Sequence, residues 1–250
     1  MSLSGDLCLG NVERIVERLG LVEQLADDGG PLRTLTSPMV PDGSVGSQRV
    51  WRREGGCDLV YVGLTVPMIG LDSHMLFAFT PPGSPVPHFT LDSVAGGGEE
   101  DRAEFAFHLD LIPQMDLGAH LGYLDHCFGP LTELLERGEA IEGLTPAKLS
   151  PRQYAVMSSW MFVHRADESA FRAIAEIVDA YRDHWFGLVE SGVPEALLDG
   201  VSTEALAERD RRNRAIVFDP AVDPVWGRVA RLLGDEQAEA VRAVLATPLP

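Results

Sequence analysis

Pro87-His88-Phe89-Thr90-Leu91-Asp92-Ser93-Val94, a glycine-rich turn, and Glu104-Phe105-Ala106-Phe107-His108-Leu109-Asp110-Leu111 read as the two strands of a hairpin. Side chains alternate between the faces of a strand, so His88, Thr90, Asp92 and Val94 share one face of the first strand, and Phe89 and Leu91 lie on the other. On the second strand Phe105, Phe107, Leu109 and Leu111 stand opposite Ala106, His108 and Asp110. One face of the hairpin thus carries acids and imidazoles. Alternation alone leaves Asp92 open to two readings. Facing water, it is an ordinary sheet-surface carboxylate. Covered by an apolar ligand, it is desolvated, and its pKa rises into the range of a general acid. His88 and His108 either flank it on that face or are satisfied or exposed histidines without such a role.

Working outward, Val50-Trp51-Arg52 and Leu59-Val60-Tyr61-Val62-Gly63-Leu64 flank a turn at Glu54-Gly55-Gly56, and a further strand runs through His74-Met75-Leu76-Phe77-Ala78-Phe79. Thr80-Pro81-Pro82-Gly83-Ser84-Pro85 is a break that no regular element survives. Four to six sequential strands without intervening helices predict an antiparallel sheet. Upstream, Val12, Ile15, Val16, Leu19 and Val22 mark a helix that Asn11 is placed to cap and Gly29-Gly30-Pro31 to stop, and residues 33–46 read as loop. Downstream, residues 121–135 read as a helix interrupted at Gly129-Pro130, and Ala155 to Val163 as one more strand. The clearest helix, capped by Asp167 or Ser169, carries Phe171, Ile174, Ile177, Val178, Tyr181, Trp185 and Leu188; another begins at Ser202 or Thr203, and a last spans 224–246. Strands followed by helices give an α+β order.

The chain of 250 residues is long enough for one large domain or two small ones. Its formal net charge of -18 argues against nucleic acid, whose phosphates need basic partners, and against an anionic membrane surface. Cys8, Cys57 and Cys127 have no zinc or iron–sulfur spacing, so no metal site is expected and a reducing, cytoplasmic setting is. Asp6, Glu13 and Glu17 interrupt the apolar pattern of the N-terminus, which reads as neither signal nor transit peptide. No dinucleotide fingerprint, P-loop, nucleophile elbow or H-E-x-x-H is present. Any chemistry therefore falls to carboxylates and histidines, or to a substrate with its own electronic machinery. Beside Asp92 the second candidate acid is Asp210, which helical spacing places with Leu206 and Val217 on an inward side. The arginines at 209, 211, 212 and 214 around it form either a solvated helix face with local ion pairs or a grip on carboxylates.

These residues resemble the ferredoxin-dependent bilin reductases and red chlorophyll catabolite reductase. Phe77-Ala78-Phe79-Thr80-Pro81-Pro82 followed by Pro87 to Val94 is similar to that family's strand, proline-rich break and second strand ending in a catalytic acid, at Asp92. Leu109-Asp110-Leu111-Ile112-Pro113 resembles its next strand, Ser158-Ser159-Trp160 its "S-P-W" segment, and Asp210-Arg211-Arg212-Asn213-Arg214 its C-terminal "N-D-x-x-R" helix. The matches run in order from Gln48 to the C-terminus.

The resemblance implies a three-layer α/β/α sandwich with a central antiparallel sheet in a single domain, 1–250. Residues 1–47 would be helix and loop, 48–112 and about 155–164 sheet, and 165–250 mainly helical. It implies a linear tetrapyrrole between the sheet and the C-terminal helices, no bound flavin or metal, and single electrons from an external donor such as ferredoxin. Asp92 would be the main proton donor and Asp210 the second acid, on opposite walls of one pocket. His88 and His108 would tune or relay protons, and Arg209, Arg212, Asn213, Arg214, Met75 and Phe77 would contact the substrate. Three departures stand out: Met75 occupies the place of a family histidine, with His74 one residue away and so on the other sheet face; no glutamate stands near Gly63; and the charge of -18 opposes an acidic ferredoxin. The expected function is reduction of an open-chain tetrapyrrole. A non-catalytic tetrapyrrole carrier, and a cofactor-independent oxidoreductase of a smaller pyrrole- or indole-like metabolite, are the alternatives.

Overall fold

The computed structural model describes residues 2–97 and 103–248, so the glycine-rich turn of the hairpin lies outside the described residues. The first helix, α1 (Leu3–Leu19), is capped by the Ser2 hydroxyl, which accepts from the Gly5 N–H, and it ends at Gly20 in the left-handed conformation. Asn11 is therefore interior to the helix rather than its cap. Its side-chain N–H₂ donates to the Leu7 carbonyl and its oxygen accepts from Arg182.

The sheet begins earlier than its apolar pattern predicts. Strands β1 (Val22–Gln24), β2 (Arg33–Ser37) and β3 (Val40–Arg52) occupy the stretch read as loop. Pro38 sits in the tight turn between β2 and β3, and register shifts around Thr36 absorb the irregularity. Proline and glycine in this edge pairing conceal the strands, because an edge tolerates a missing N–H. The sheet continues through β4 (Asp58–Val66), β5 (Leu71–Phe79), β6 (His88–Gly97) and β7 (Ala103–Ile112). The final strands are β8 (Leu144–Pro146) and β9 (Phe162–Ala166). The spatial order is β1-β3-β4-β5-β6-β7-β9-β8, with β2 pairing the same edge of β3 as β1, and every pairing is antiparallel.

The strand expected over 155–163 is a second correction. A Ser150–Gln153 capping box with Pro151 at its first turn makes α4 (Pro151–Val156), and the strand starts only at Phe162. The apolar run through Trp160 is a connection held by Ser158, whose Oγ accepts from the Trp160 N–H. The remaining helices are α2 (Leu121–Cys127), α3 (Thr132–Glu139), α5 (Glu168–Ala173), α6 (Ala175–Ser191), α7 (Thr203–Val217), α8 (Val225–Leu233) and α9 (Asp235–Ala246). Asp167 caps α5 and Ser202 caps α7. The single C-terminal helix expected over 224–246 is broken into α8 and α9 by Gly234, whose φ of 83° no α-helix accommodates.

Helices cover both faces, so the sheet is the middle of three layers. Against one face α1, α2, α3, α5 and α6 pack on Leu59, Tyr61, Leu76, Phe89, Leu91, Phe105, Phe107 and Leu109. Against the other, α8 and α9 and the end of α7 pack on Val50, Val60, Val62, Met75, Phe77 and Phe79. The register puts Asp92 opposite His108, Thr90 opposite Asp110 and Met75 opposite Asp92. The polar face of the hairpin therefore looks toward the C-terminal helices.

Gly46 is paired with Leu64 across β3 and β4, and a Cβ there would stand 1.9 Å from the Gly63 carbonyl oxygen. Backbone cannot yield as a side chain can, so Gly46→Ala is expected to cost about 3 kcal/mol or more in urea unfolding.

Candidate functional site

The polar residues of the central hairpin have different fates along the strand. At one end His88 is buried and bonded on both ring nitrogens. Its Nδ1 accepts from the Thr80 N–H at 3.1 Å, which leaves Nε2–H to donate to Asp210 Oδ1 at 2.6 Å. Burial lowers the His88 pKa more than Asp210 raises it, which favours the neutral imidazole. Arg214 lies 3.8 Å above the Phe79 ring and donates to the carbonyls of Leu245 and Thr247; burial lowers its pKa to about 10. His88, Asp210 and Arg214 thus tie α7 to the sheet and to the C-terminal end of α9.

Two strand positions beyond His88 is Thr90, and opposite it Asp110 is fully buried. Asp110 accepts from the Ser158 N–H at 2.9 Å and from the Ser158 hydroxyl at 2.5 Å. Burial raises its pKa, opposed by His108 and by Ser158. It fixes the connection that leads from α4 to β9.

Asp92 and His108, two more positions along, have no such protein partners. Asp92 Oδ2 and His108 Nδ1 are 3.7 Å apart, an electrostatic contact too long for a hydrogen bond. Asp92 Oδ1 and His108 Nε2 are buried and have no hydrogen-bond partner among the described residues. Both residues line a cavity of about 230 Å³ between the sheet and the C-terminal helices. Its floor includes Ser73, Met75, Phe77, Val94, Ala106 and Val163; its roof is Ala147, Leu149, Gln153 and Met157 around α4, Val217 and Phe218, and Asp223, Val225 and Trp226 at the start of α8. Phe218 meets Phe77 edge-on at 4.9 Å, an aromatic wall between this cavity and the His88–Asp210 pair. Burial pushes the Asp92 carboxyl above its ordinary range, with His108 opposing. His108 is raised as well: burial disfavours its charge, but Asp92, Asp110 and Asp223 together outweigh burial.

The structure thus brings Asp92, His108, Met75 and Phe77 together at one cavity. It does not bring His88, Asp210, Arg209, Arg212, Asn213 or Arg214 to its lining. Asn213 donates to the Pro113 carbonyl, and Arg212 is exposed and paired with Glu208. Asp210 faces inward as its helical spacing predicts, but its partner there is His88. His74 lies on the opposite sheet face, with Nδ1 2.6 Å from the Tyr61 hydroxyl and Nε2 3.1 Å from Asp72 under α1. Sequence reasoning missed the acid at Asp223. Its one local signal is the Asp-Pro preceding a helix, which reads as a cap, and Asp223 Oδ1 does accept from the Val225 N–H. Its place in the cavity has no local signal.

The sequence matches no family model and no curated protein. Among solved structures the chain is similar to phytochromobilin synthase from tomato, crystallised in complex with biliverdin, with a TM-score of 0.74 and 15% identity over 96% of this chain and 82% of that one. The likeness is one of fold: a large antiparallel sheet flanked by helices, the architecture of a bilin reductase.

A carboxyl raised by burial contributes stability that is complete in acid and is lost as pH rises from the ordinary carboxylate value of about 4 through its higher native value. Asp92→Asn cannot ionise. Thermal melts are expected to show it equal to the wild type near about pH 4 and more stable by about 2 °C near pH 7. His88→Ala, by contrast, leaves Asp210 buried without its hydrogen-bond partner and is expected to cost about 3–5 kcal/mol in urea unfolding.

Proposed function

We propose that the chain is a reductase of a linear tetrapyrrole, with the pigment between the sheet and α8, and with Asp92 as proton donor and His108 as its relay. The observation that supports this reading most is the pair of buried, unpartnered atoms, Asp92 Oδ1 and His108 Nε2, on the wall of a mostly apolar cavity. An orphaned buried polar atom costs about 1–3 kcal/mol, and a ligand with complementary groups would recover it. The solved structure of similar fold is that of a protein in complex with biliverdin. A carboxyl held above its ordinary range donates a proton near neutrality more readily than a solvated aspartate does.

In this reading the conjugated pigment holds the unpaired electron between steps, and the protein supplies binding, orientation and protons. Electrons come from an external one-electron donor. Several arginines that could face an acidic ferredoxin are engaged within the chain: Arg49 with Glu23, Arg52 with Asp58, Arg53 with the Leu19 carbonyl, and Arg211 and Arg212 with Glu208. The -18 charge likewise favours a donor that is not strongly acidic.

A second reading, a reductase or binder of a smaller pyrrole- or indole-like compound, is favoured by one observation. The cavity, at about 230 Å³, is below the roughly 300–1,000 Å³ typical of sites for larger ligands. An extended pigment would need the α4 segment to move outward.

The test is biliverdin added to the purified protein, followed by a low-potential electron supply under anaerobic conditions. The expected result is a spectral shift on mixing and consumption of the bound pigment on reduction. Asp92→Asn is expected to retain the shift and to slow consumption by about 100-fold or more. Pigment binding with equal turnover in wild type and Asp92→Asn would remove Asp92 from the mechanism, and binding without turnover would make the protein a carrier.

A further inference from the structure

The charged groups of the cavity do not match a ligand that brings carboxylates inside. Its lining contains Asp92, His108 and Asp223 and neither lysine nor arginine. Behind these, Asp110 acts on His108 but spends its oxygens on Ser158, and Arg228 acts on Asp223 from an exposed position on α8. The lining also holds the Ser73 hydroxyl, the Gln153 amide, whose Oε1 accepts from the Ser150 N–H, and the indole N–H of Trp226, which is 4% exposed and has no hydrogen-bond partner among the described residues. The site therefore presents two carboxylates as acceptors, an imidazole that can donate or accept, an indole donor, and the neutral Ser73 hydroxyl and Gln153 amide, in a setting of Met75, Phe77, Phe107, Phe218 and Val225.

Asp223 and Asp92 come from opposite layers, Asp92 from the sheet and Asp223 from the turn that starts α8. Burial raises the Asp223 pKa, and Asp92 adds to the rise while His108 opposes it. Asp210, whose place in the chain suggested the second acid, is engaged 2.6 Å from His88 and does not line the cavity. A ligand carboxylate entering here would be desolvated beside two acids, with His108 the one cationic group in the lining to balance it and Arg228 acting only from outside, an unfavourable arrangement. A ligand with nitrogen-bound hydrogens would give the two carboxylates the donors they lack.

We propose that Asp223 is the second acid of this site, and that with Asp92 it selects a ligand whose enclosed part presents N–H groups and carries no carboxylate. This rests on the cavity being the ligand site of the preceding reading. Carboxylates on a larger pigment would stay outside, in solvent. Asp223 is a specificity-determining residue in this arrangement, which involves no covalent step.

Two matched pairs of probes test it by calorimetric titration near neutral pH. One pair is biliverdin and its dimethyl ester; the other is tryptamine and indole-3-acetate. In the wild type the ester is expected to bind about tenfold or more tighter than the diacid, and tryptamine about tenfold or more tighter than indole-3-acetate. Asp223→Asn keeps an oxygen for the Val225 N–H and removes the charge, so it is expected to fold and to narrow each preference by about tenfold. Asp223→Ser, which also preserves a capping oxygen, is the second variant and is expected to do the same. Diacid bound as tightly as ester, or preferences unchanged in both variants, would overturn the proposal. If neither bilin binds but the indole pair behaves as expected, the tetrapyrrole reading fails and the selection by Asp223 stands. If no probe of either pair binds, both fail.

Discussion

Partners for a row of buried and half-buried polar side chains are the constraint on which this molecule turns. His88, Thr90, Asp92, His108 and Asp110 share a sheet face with the second hydrophobic core, and a buried polar atom left without a partner is costly. The fold meets that demand unevenly. Asp210 reaches down from α7 to His88, and Ser158 gives both its N–H and its hydroxyl to Asp110. Between them Asp92 and His108 have only each other, at 3.7 Å, and a cavity. The Asp210–His88 and Ser158–Asp110 bonds fasten connections around the cavity. Among the described residues Thr90 Oγ1 and Asp210 Oδ2 stay unpartnered away from it, and Asp92 Oδ1 and His108 Nε2 are unpartnered in residues that line it.

The other face of the same sheet shows what a polar group looks like when it is built in. His74 sits one residue from Met75 on β5, yet it points under α1, where Tyr61 and Asp72 take both its nitrogens and Asp72 in turn is bonded by Ser2 and Thr65. That network joins the start of α1 to the sheet. One step along a strand thus separates a histidine enclosed by protein partners from a methionine on a cavity floor. Unpartnered polar atoms occur on the His74 face too, at Ser93 Oγ and His164 Nδ1, so what distinguishes Asp92 and His108 is that they line the cavity.

Much of this architecture was legible from local pattern. Alternation in the hairpin correctly grouped Asp92 with His108 and Asp110, and Ser202 and Asp167 are caps as their positions suggest. The errors fell where local signals compete. Residues 33–46 carry the prolines and glycine of a loop but pair as edge strands, where a missing N–H is tolerated. Trp160 and its apolar neighbours resembled a strand, while the capping box at Ser150 made a helix just before them. Of the residues singled out in the sequence, Asp92, His108, Met75 and Phe77 line one cavity. Asp210 was recognised as inward-facing but not as already engaged, since its partner His88 lies 122 residues away.

By itself the sequence determined which side chains share a face, because the periods of strand and helix are set by backbone geometry within a few residues. It also determined the acidic charge and the carboxylates and imidazoles of the hairpin face. Only the tertiary structure decided which of those groups are left without partners. That depends on where α4, α7 and α8 settle over the sheet, through contacts between segments distant in the chain: Asp210 on His88, Ser158 on Asp110, and Asp223 with Trp226 over Asp92. No local pattern encodes such pairings, because a carboxylate spent on a buried imidazole and one left facing a cavity are the same residue type on the same kind of face.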